Sequence, residues 1–443
     1  MKKTIKKLAK SKIEIEFEIP AEELEEFLNE AAKELSNSLR VQGFRPGNVP
    51  RNIVERELGA SKVMERGIEL AVRKSYLEAV TDEKIEAIGS PKISVLKAAP
   101  GNPMVFKVEV DILPEVELAD YVKIAKEKEP KKEEDIKVEE KELKESLDWL
   151  LKSRAKYITV LRGAKEGDRL EIDFSVSMGG EKIKNGESKN YPMVLGQSKF
   201  IKGFDDQLAG VKEGEEKKFS LVFPDDYHGK NLAGKPADFI VKINSVQETE
   251  MPELNDEFAK SLGGFENLAG LKESVEHGIK HEKLDKERKD WRQNVLAKIA
   301  EESKMEIPQI LIENEVDRMM SEIKANVESF GLPWEKYLGE LSASEMEGKK
   351  QEEIELELRA KVMPQSEKRV RESLVLRAIA EKEKIEAEEK EIEEHISRLL
   401  QRYKNTEEAK KFVDTQGLRE YTNEVIKNDK VFQKLEAFAS RDI

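Results

Sequence analysis

Cysteine is absent from the 443 residues, so no disulfide framework and no thiol chemistry are available. Histidine occurs four times and aromatics make up only 6% of the chain, too little for one large compact core. No Walker loop, dinucleotide fingerprint or triad pattern is present. The signals of nucleotide hydrolysis, hydride transfer and nucleophilic catalysis are thus missing. No apolar run reaches the length of a signal peptide or a spanning helix. Five lysines fall in the first ten residues, but Leu8 is followed by Ala9, Lys10, Ser11 and Lys12. The cytoplasm is the expected compartment, with no membrane partner. Positive charge is the minority, 78 basic against 92 acidic residues, a net of −14. Any contact with nucleic acid must therefore be local.

What is present is charge, 38% of the chain, on a length that predicts two to four helix-rich domains. The most distinctive stretch is Gly43-Phe44-Arg45-Pro46-Gly47-Asn48-Val49-Pro50. Two glycines and two prolines in eight residues exclude a helix or a regular strand. Helical spacing precedes it, with Leu24, Phe27, Leu28, Ala31, Ala32, Leu35 and Leu39 in steps of three and four. It resumes afterwards at Ile53, Val54 and Leu58 and from Val63 to Val80. Two helices should meet at an exposed, stiffened tip carrying Phe44, Arg45 and Arg51. An aromatic beside a cation suits docking onto an RNA-and-protein surface; a tight connection with incidental charge is the plainer alternative.

Around the tip, Ile13, Ile15, Phe17 and Ile19 alternate with charged residues, the period of a half-buried strand ended by Pro20. Ile93 to Leu96 and Met104 to Leu113 read as further strands, with a turn at Pro100-Gly101-Asn102-Pro103. Residues 1–114 are thus expected to be an α+β domain. Residues 126–145 hold sixteen charged positions in twenty, the composition of a linker or solvated helix. Leu143, Leu147, Leu150 and Leu151 then lead out as a helix. From Gly163 to Val246 short alternating runs separated by glycine turns predict a small antiparallel β domain, with one short helix near Gly203 to Leu208. Beyond residue 248 the pattern is helical. One stripe runs Ile312, Val316, Met319, Met320, Ile323, Val327 and Phe330, and Leu332-Pro333-Trp334 breaks it. Later stripes include Leu374, Leu376, Ile379 and Ala380, then Ile392, Ile396, Leu399, Leu400 and Tyr403. Such stripes usually pack a bundle core. Methionine-containing amphipathic surfaces could also hold unfolded segments weakly. His277 and His281 stand four apart, but the intervening Gly278-Ile279-Lys280 supplies no H-E-x-x-H site. No metal is expected.

G-F-R-x-G-x-x-P between two helices resembles the signature of trigger factor, a bacterial chaperone family found at the ribosomal exit tunnel. Gly43, Phe44, Arg45, Gly47 and Pro50 match; Pro46 and Asn48 stand where the family usually carries lysine. A second likeness lies in Val194-Leu195-Gly196-Gln197, Phe200-Ile201-Lys202-Gly203-Phe204-Asp205 and Phe223-Pro224-Asp225-Asp226-Tyr227-His228. These resemble the FK506-binding-protein (FKBP) class of prolyl isomerases, a domain that trigger factor carries mid-chain. Met251 to Phe258 and Ile307 to Leu311 extend the likeness towards the end of the chain. The resemblance implies a multidomain α+β protein: a ribosome-docking domain (1–114), a linker packing on the C-terminal body (115–162), an FKBP-like domain (163–247) and a helical body with arms (248–443). It also implies prolyl isomerisation without covalent intermediate or cofactor. Implied partners are the ribosome, through ribosomal protein and rRNA, and nascent or unfolded chains, with a homodimer off the ribosome and roles in export and cell division. By the same resemblance Phe174, Tyr191, Phe200, Ile201, Phe204, Tyr227 and Phe239 line the prolyl pocket. Phe204 is its floor, where single-domain relatives usually place tryptophan, and their pocket aspartate has no counterpart near Lys184 to Ser188. Two alternatives stay open: a ribosome-independent isomerase-chaperone, and a helical scaffold with a degenerate isomerase domain.

Overall fold

A computed structural model describes residues 1–99, 101–127, 129–225, 227, 232–344, 349–402 and 416–440. The expected turn residue Pro100, the motif residues Asp226 and His228, and the stripe residue Tyr403 lie outside the described residues. The chain divides into two compact units, one formed by Met1–Pro130 with Arg288–Ile443, the other by Lys131–Glu287.

In the first unit, β1 (Lys2–Leu8), β2 (Lys12–Ile19), β3 (Ala87–Lys97) and β4 (Met104–Ile112) form an antiparallel sheet in the order β1-β2-β4-β3. The alternating Ile13, Ile15, Phe17 and Ile19 face the core, and Phe17 stacks on Phe106 at 4.7 Å. Helices α1 (Ala21–Ser36) and α3 (Ala60–Asp82), with α2 (Arg51–Leu58) between them in sequence, supply the matching apolar face through Leu24, Leu28, Ala71, Val72 and Ala79. Gly67 permits this packing: a Cβ there would stand 2.5 Å from a Leu28 methyl. Strand β1 was not expected. Four of its seven residues are lysines, and it lies at the sheet edge, where charge deters further pairing.

The same unit holds a helical body. Tyr121 and Ile124 of α4 (Tyr121–Lys126) share one core with Trp291 and Ile299 of α8 (Leu268–Glu302), Val375 and Ile379 of α11 (Gln351–Lys382), and Val431 and Leu435 of α13 (Gln416–Ala439). A second core joins α9 (Gln309–Ser329), α10 (Trp334–Ser344) and α11 through Val316, Met320, Trp334, Leu338 and Ile354. Phe330 departs from the expected stripe: it caps α9 and is 88% exposed. A residue past the last turn no longer follows the helical period. Ile392 and Ile396 of α12 (Glu389–Arg402) are buried. Within this unit the β1–β2 turn meets the body: the Lys10 N–H donates to the Glu306 carboxylate at 2.6 Å, and the Ser11 hydroxyl to the Glu306 carbonyl at 2.7 Å.

In the second unit, β5 (Lys156–Thr159), β6 (Arg169–Met178), β7 (Glu181–Val194), β8 (Glu216–Val222) and β9 (Pro236–Glu250) form one antiparallel sheet in the order β5-β9-β6-β7, with β8 also on β9. Leu170, Ile172, Val241 and Ile243 fill its core face, and the short α6 (Phe204–Gln207) packs onto it. A separate small cluster joins Leu147 of α5 (Glu140–Ser153) to Phe258 of α7 (Asp256–Ser261) and Leu271 of α8. Among the described residues of the charge-rich run between α4 and α5, a 3-10 turn forms at Glu133–Asp135. Among the described residues, no helix is long and apolar enough to cross a membrane.

Candidate functional site

Six of the seven residues expected to line the prolyl pocket belong to one apolar cluster; Tyr191 lies outside it and meets it edge-on through Phe174 and Phe200. Strand β6 presents Phe174, β7 Tyr191 and β9 Phe239, each by its place in the strand alternation. The segment between β7 and α6 presents Phe200 and Ile201, and α6 opens with Phe204. The rings form a continuous chain. Phe204 meets Phe239 edge-on at 5.6 Å and Phe219 at 5.5 Å. Phe200 meets Phe174 at 5.1 Å and Tyr191 at 5.6 Å, and Tyr227 leans on Phe223 at 4.7 Å. Phe204 is 0% exposed, Phe239 3% and Tyr191 38%; Phe174, Phe200, Ile201 and Tyr227 are half-buried. The floor residue is therefore covered in this conformation, by Phe200, whose ring lies parallel to it at 4.0 Å.

Sequence reasoning missed the part played by Asp205. Its carboxylate accepts the Gly196 N–H at 2.8 Å, the Ser198 N–H at 3.3 Å and the Ser198 hydroxyl. It thereby fixes the loop that carries Phe200. Gly203 reaches φ +90, a conformation open to glycine, which lets the chain turn into α6. Outside the aromatic face, Asp173 accepts the Asn190 N–H at 2.7 Å and the Asn244 amide at 2.6 Å. These bonds, the Asn190 one foremost, hold its carboxyl below the usual range. Such an arrangement offers an apolar aromatic surface with ordered backbone around it.

The second candidate site is the tip between α1 and α2. Gly43 and Gly47 adopt φ +88 and +87, and a Cβ on Gly47 would stand 2.5 Å from the Asn37 side-chain oxygen. The Gly47 N–H donates to the Ser36 carbonyl, and the Phe44 N–H to the Val41 carbonyl, both at 3.1 Å. Val49 is buried against Ala32, Val54 and Val63, and Pro50 leads directly into α2. Phe44 is 39% exposed and Arg45 is exposed beside it. Arg51 differs from expectation. Its guanidinium is held by Glu25 and by Glu55 at 2.6 Å, so it braces the helices instead of extending the tip. His281 likewise pairs with Asp285 at 3.2 Å, and among the described residues no three metal-binding groups converge.

Family models match along the chain: bacterial trigger factor protein at residues 1–150, FKBP-type peptidyl-prolyl cis-trans isomerase at 162–244, and bacterial trigger factor protein C-terminus at 267–437. The trigger factor of Caldicellulosiruptor saccharolyticus is 34% identical over 402 residues, covering 90% of this chain and 88% of that protein. The trigger factor of Desulforamulus reducens is 33% identical, covering 98% and 97%. A solved structure from work on the trigger factor chaperone aligns over 99% of both chains, with a TM-score of 0.55 and 22% identity, a likeness of fold. The chain is a member of the trigger factor family, chaperones that carry an FKBP-type domain.

Proposed function

We propose that this chain is a cytoplasmic, ribosome-docked folding chaperone that also catalyses rotation about X–Pro bonds. Residues 1–114 dock through the tip at Gly43, Phe44, Arg45, Gly47 and Pro50 onto ribosomal protein and rRNA beside the exit. Residues 248–443 shield emerging apolar segments, a service that extends to chains bound for export and to division proteins; off the ribosome two copies pair. Residues 163–247 act on proline, and 115–162 link the parts. The observation that carries this reading is one chain combining an exposed Phe44–Arg45 pair on a glycine-fixed loop with a cluster of aromatic rings.

The chemistry needs no reactive group. Amide resonance sets a barrier of about 18–20 kcal/mol, and uncatalysed exchange takes tens of seconds or longer. The twisted bond has lost resonance and carries a less polar carbonyl. A dry aromatic surface therefore favours it over the planar, solvated ground state. No covalent intermediate is formed. Phe44→Ala combined with Arg45→Ala should abolish ribosome co-sedimentation while isomerase activity on a short peptide persists. Loss of both together would refute the division of labour. A ribosome-independent isomerase-chaperone is the second reading. Pro46, Asn48 and the engagement of Arg51 by Glu25 and Glu55 favour it, since they leave the tip few cations.

A further inference from the structure

On the isomerase reading a prolyl ring would rest on Phe204, and a flat face of that ring is already taken. Phe200 lies parallel to it, with centroids 4.0 Å apart and planes 11° from parallel, and Phe204 has no accessible surface. Two other rings among the described residues approach Phe204 edge-on, Phe219 at 67° and Phe239 at 68°. Phe200 thus occupies the flat seat and the other rings form its walls. Phe200 is held there from two directions. Phe174 and Tyr191 press edges against it at 5.1 and 5.6 Å. Behind it, the Phe200 N–H donates to the Ser198 hydroxyl oxygen at 3.3 Å, and Ser198 is itself fixed to Asp205.

We infer that Phe200 is a built-in plug. It mimics the bound proline, and a substrate enters only when the segment between Leu195 and Gly203 carries the ring off Phe204. The inference rests on the isomerase reading for the identity of the ligand, an apolar X–Pro segment, but not for the plug itself. Its consequence is a lowered apparent affinity. A site open in a fraction of molecules binds with its intrinsic constant divided by that fraction. The worth of an aromatic pair sets the scale at about two- to tenfold. Phe200 therefore differs from the other pocket residues: removing it should improve binding.

The test uses the full chain and a dye-labelled tetrapeptide with a single proline, followed by fluorescence anisotropy and by isomerase kinetics. Phe200→Val should bind the peptide about two- to tenfold more tightly, with KM falling in step. Phe200→Tyr, which can still stack on Phe204, should show none of that gain in affinity. A ring that only supports the fold would give weaker binding on truncation, so equal or weaker affinity in a folded Phe200→Val overturns the plug. Should that variant fail to fold, Ser198→Ala loosens the same segment and should tighten binding in the same direction; unchanged affinity there overturns it equally. Tighter binding without isomerase activity in any variant would sink the catalytic reading and leave the plug standing.

Discussion

Asp168, in the turn before β6, is 4% exposed and accepts from Arg162 at 2.6 Å and from the Lys165 N–H at 2.8 Å. Burial pushes this carboxyl up, but the Arg162 guanidinium and the Lys165 N–H outweigh it, so it titrates below its ordinary 3.8. A carboxyl whose folded value is depressed contributes its full stability above the unfolded value, and loses it as pH falls through the folded one. Asp168→Asn should therefore cost about 1–3 kcal/mol at neutral pH, and the gap to wild type should narrow progressively as pH falls below the carboxyl's ordinary 3.8. Urea midpoints at neutral and acid pH measure this, and a gap independent of pH would refute it. At the same scale, the sequence was uneven as a guide. Gly43 and Gly47 were legible because backbone geometry ties positive φ to one residue type. Arg51 was not, because its partner Glu25 is brought by tertiary packing from the preceding helix. The aromatic cluster could be read from its motifs, but which ring covers which depends on side-chain packing that spacing does not encode.

Helix α11 runs unbroken from Gln351 to Lys382 with Pro364 inside it. Proline there supplies no N–H to the Ala360 carbonyl, and its ring crowds that turn. What keeps the helix going is burial of Ser366, Val370 and Leu374, with the Ser366 hydroxyl on the Met319 sulfur at 3.1 Å. Pro364→Ala should then steady this turn by about 1 kcal/mol or more, seen as roughly fivefold slower amide exchange near residues 360–368. Unchanged exchange would mean that tertiary packing alone sets the protection. Elements with a strong period were legible for the same physical reason that α11 survives: a buried stripe dominates local preference. The Ile312 to Val327 stripe and the β2 and β4 alternations are of this kind. Strands β1 and β5 were missed because edge strands bury little, and their lysines and exposed Tyr157 and Ile158 leave no two-residue signal.

At the scale of the whole molecule, the proposed docking would bring a net charge of −14 up to an anionic ribosome through a tip whose exposed cations are Arg40 and Arg45. Two opposing salt effects follow. Repulsion between the acidic bulk and rRNA acts over a screening length of about 8 Å at physiological ionic strength and 30 Å at 0.01 M, so added salt first helps. Under the same proposal, contacts from the tip to phosphate would release counterions, at about −0.7 to −0.9 in log K against log salt for each, so further salt should weaken binding. Two contacts give a limiting slope of about −1.4 to −1.8. Ribosome affinity should therefore pass through a maximum and then fall gently, and Arg45→Gln should flatten the falling limb by about one contact. A steep decline from the lowest salt, with a slope of roughly −5 or beyond, would require basic contacts elsewhere. A slope indifferent to Arg45 would remove phosphate from the tip's role and leave Phe44 to dock on protein alone.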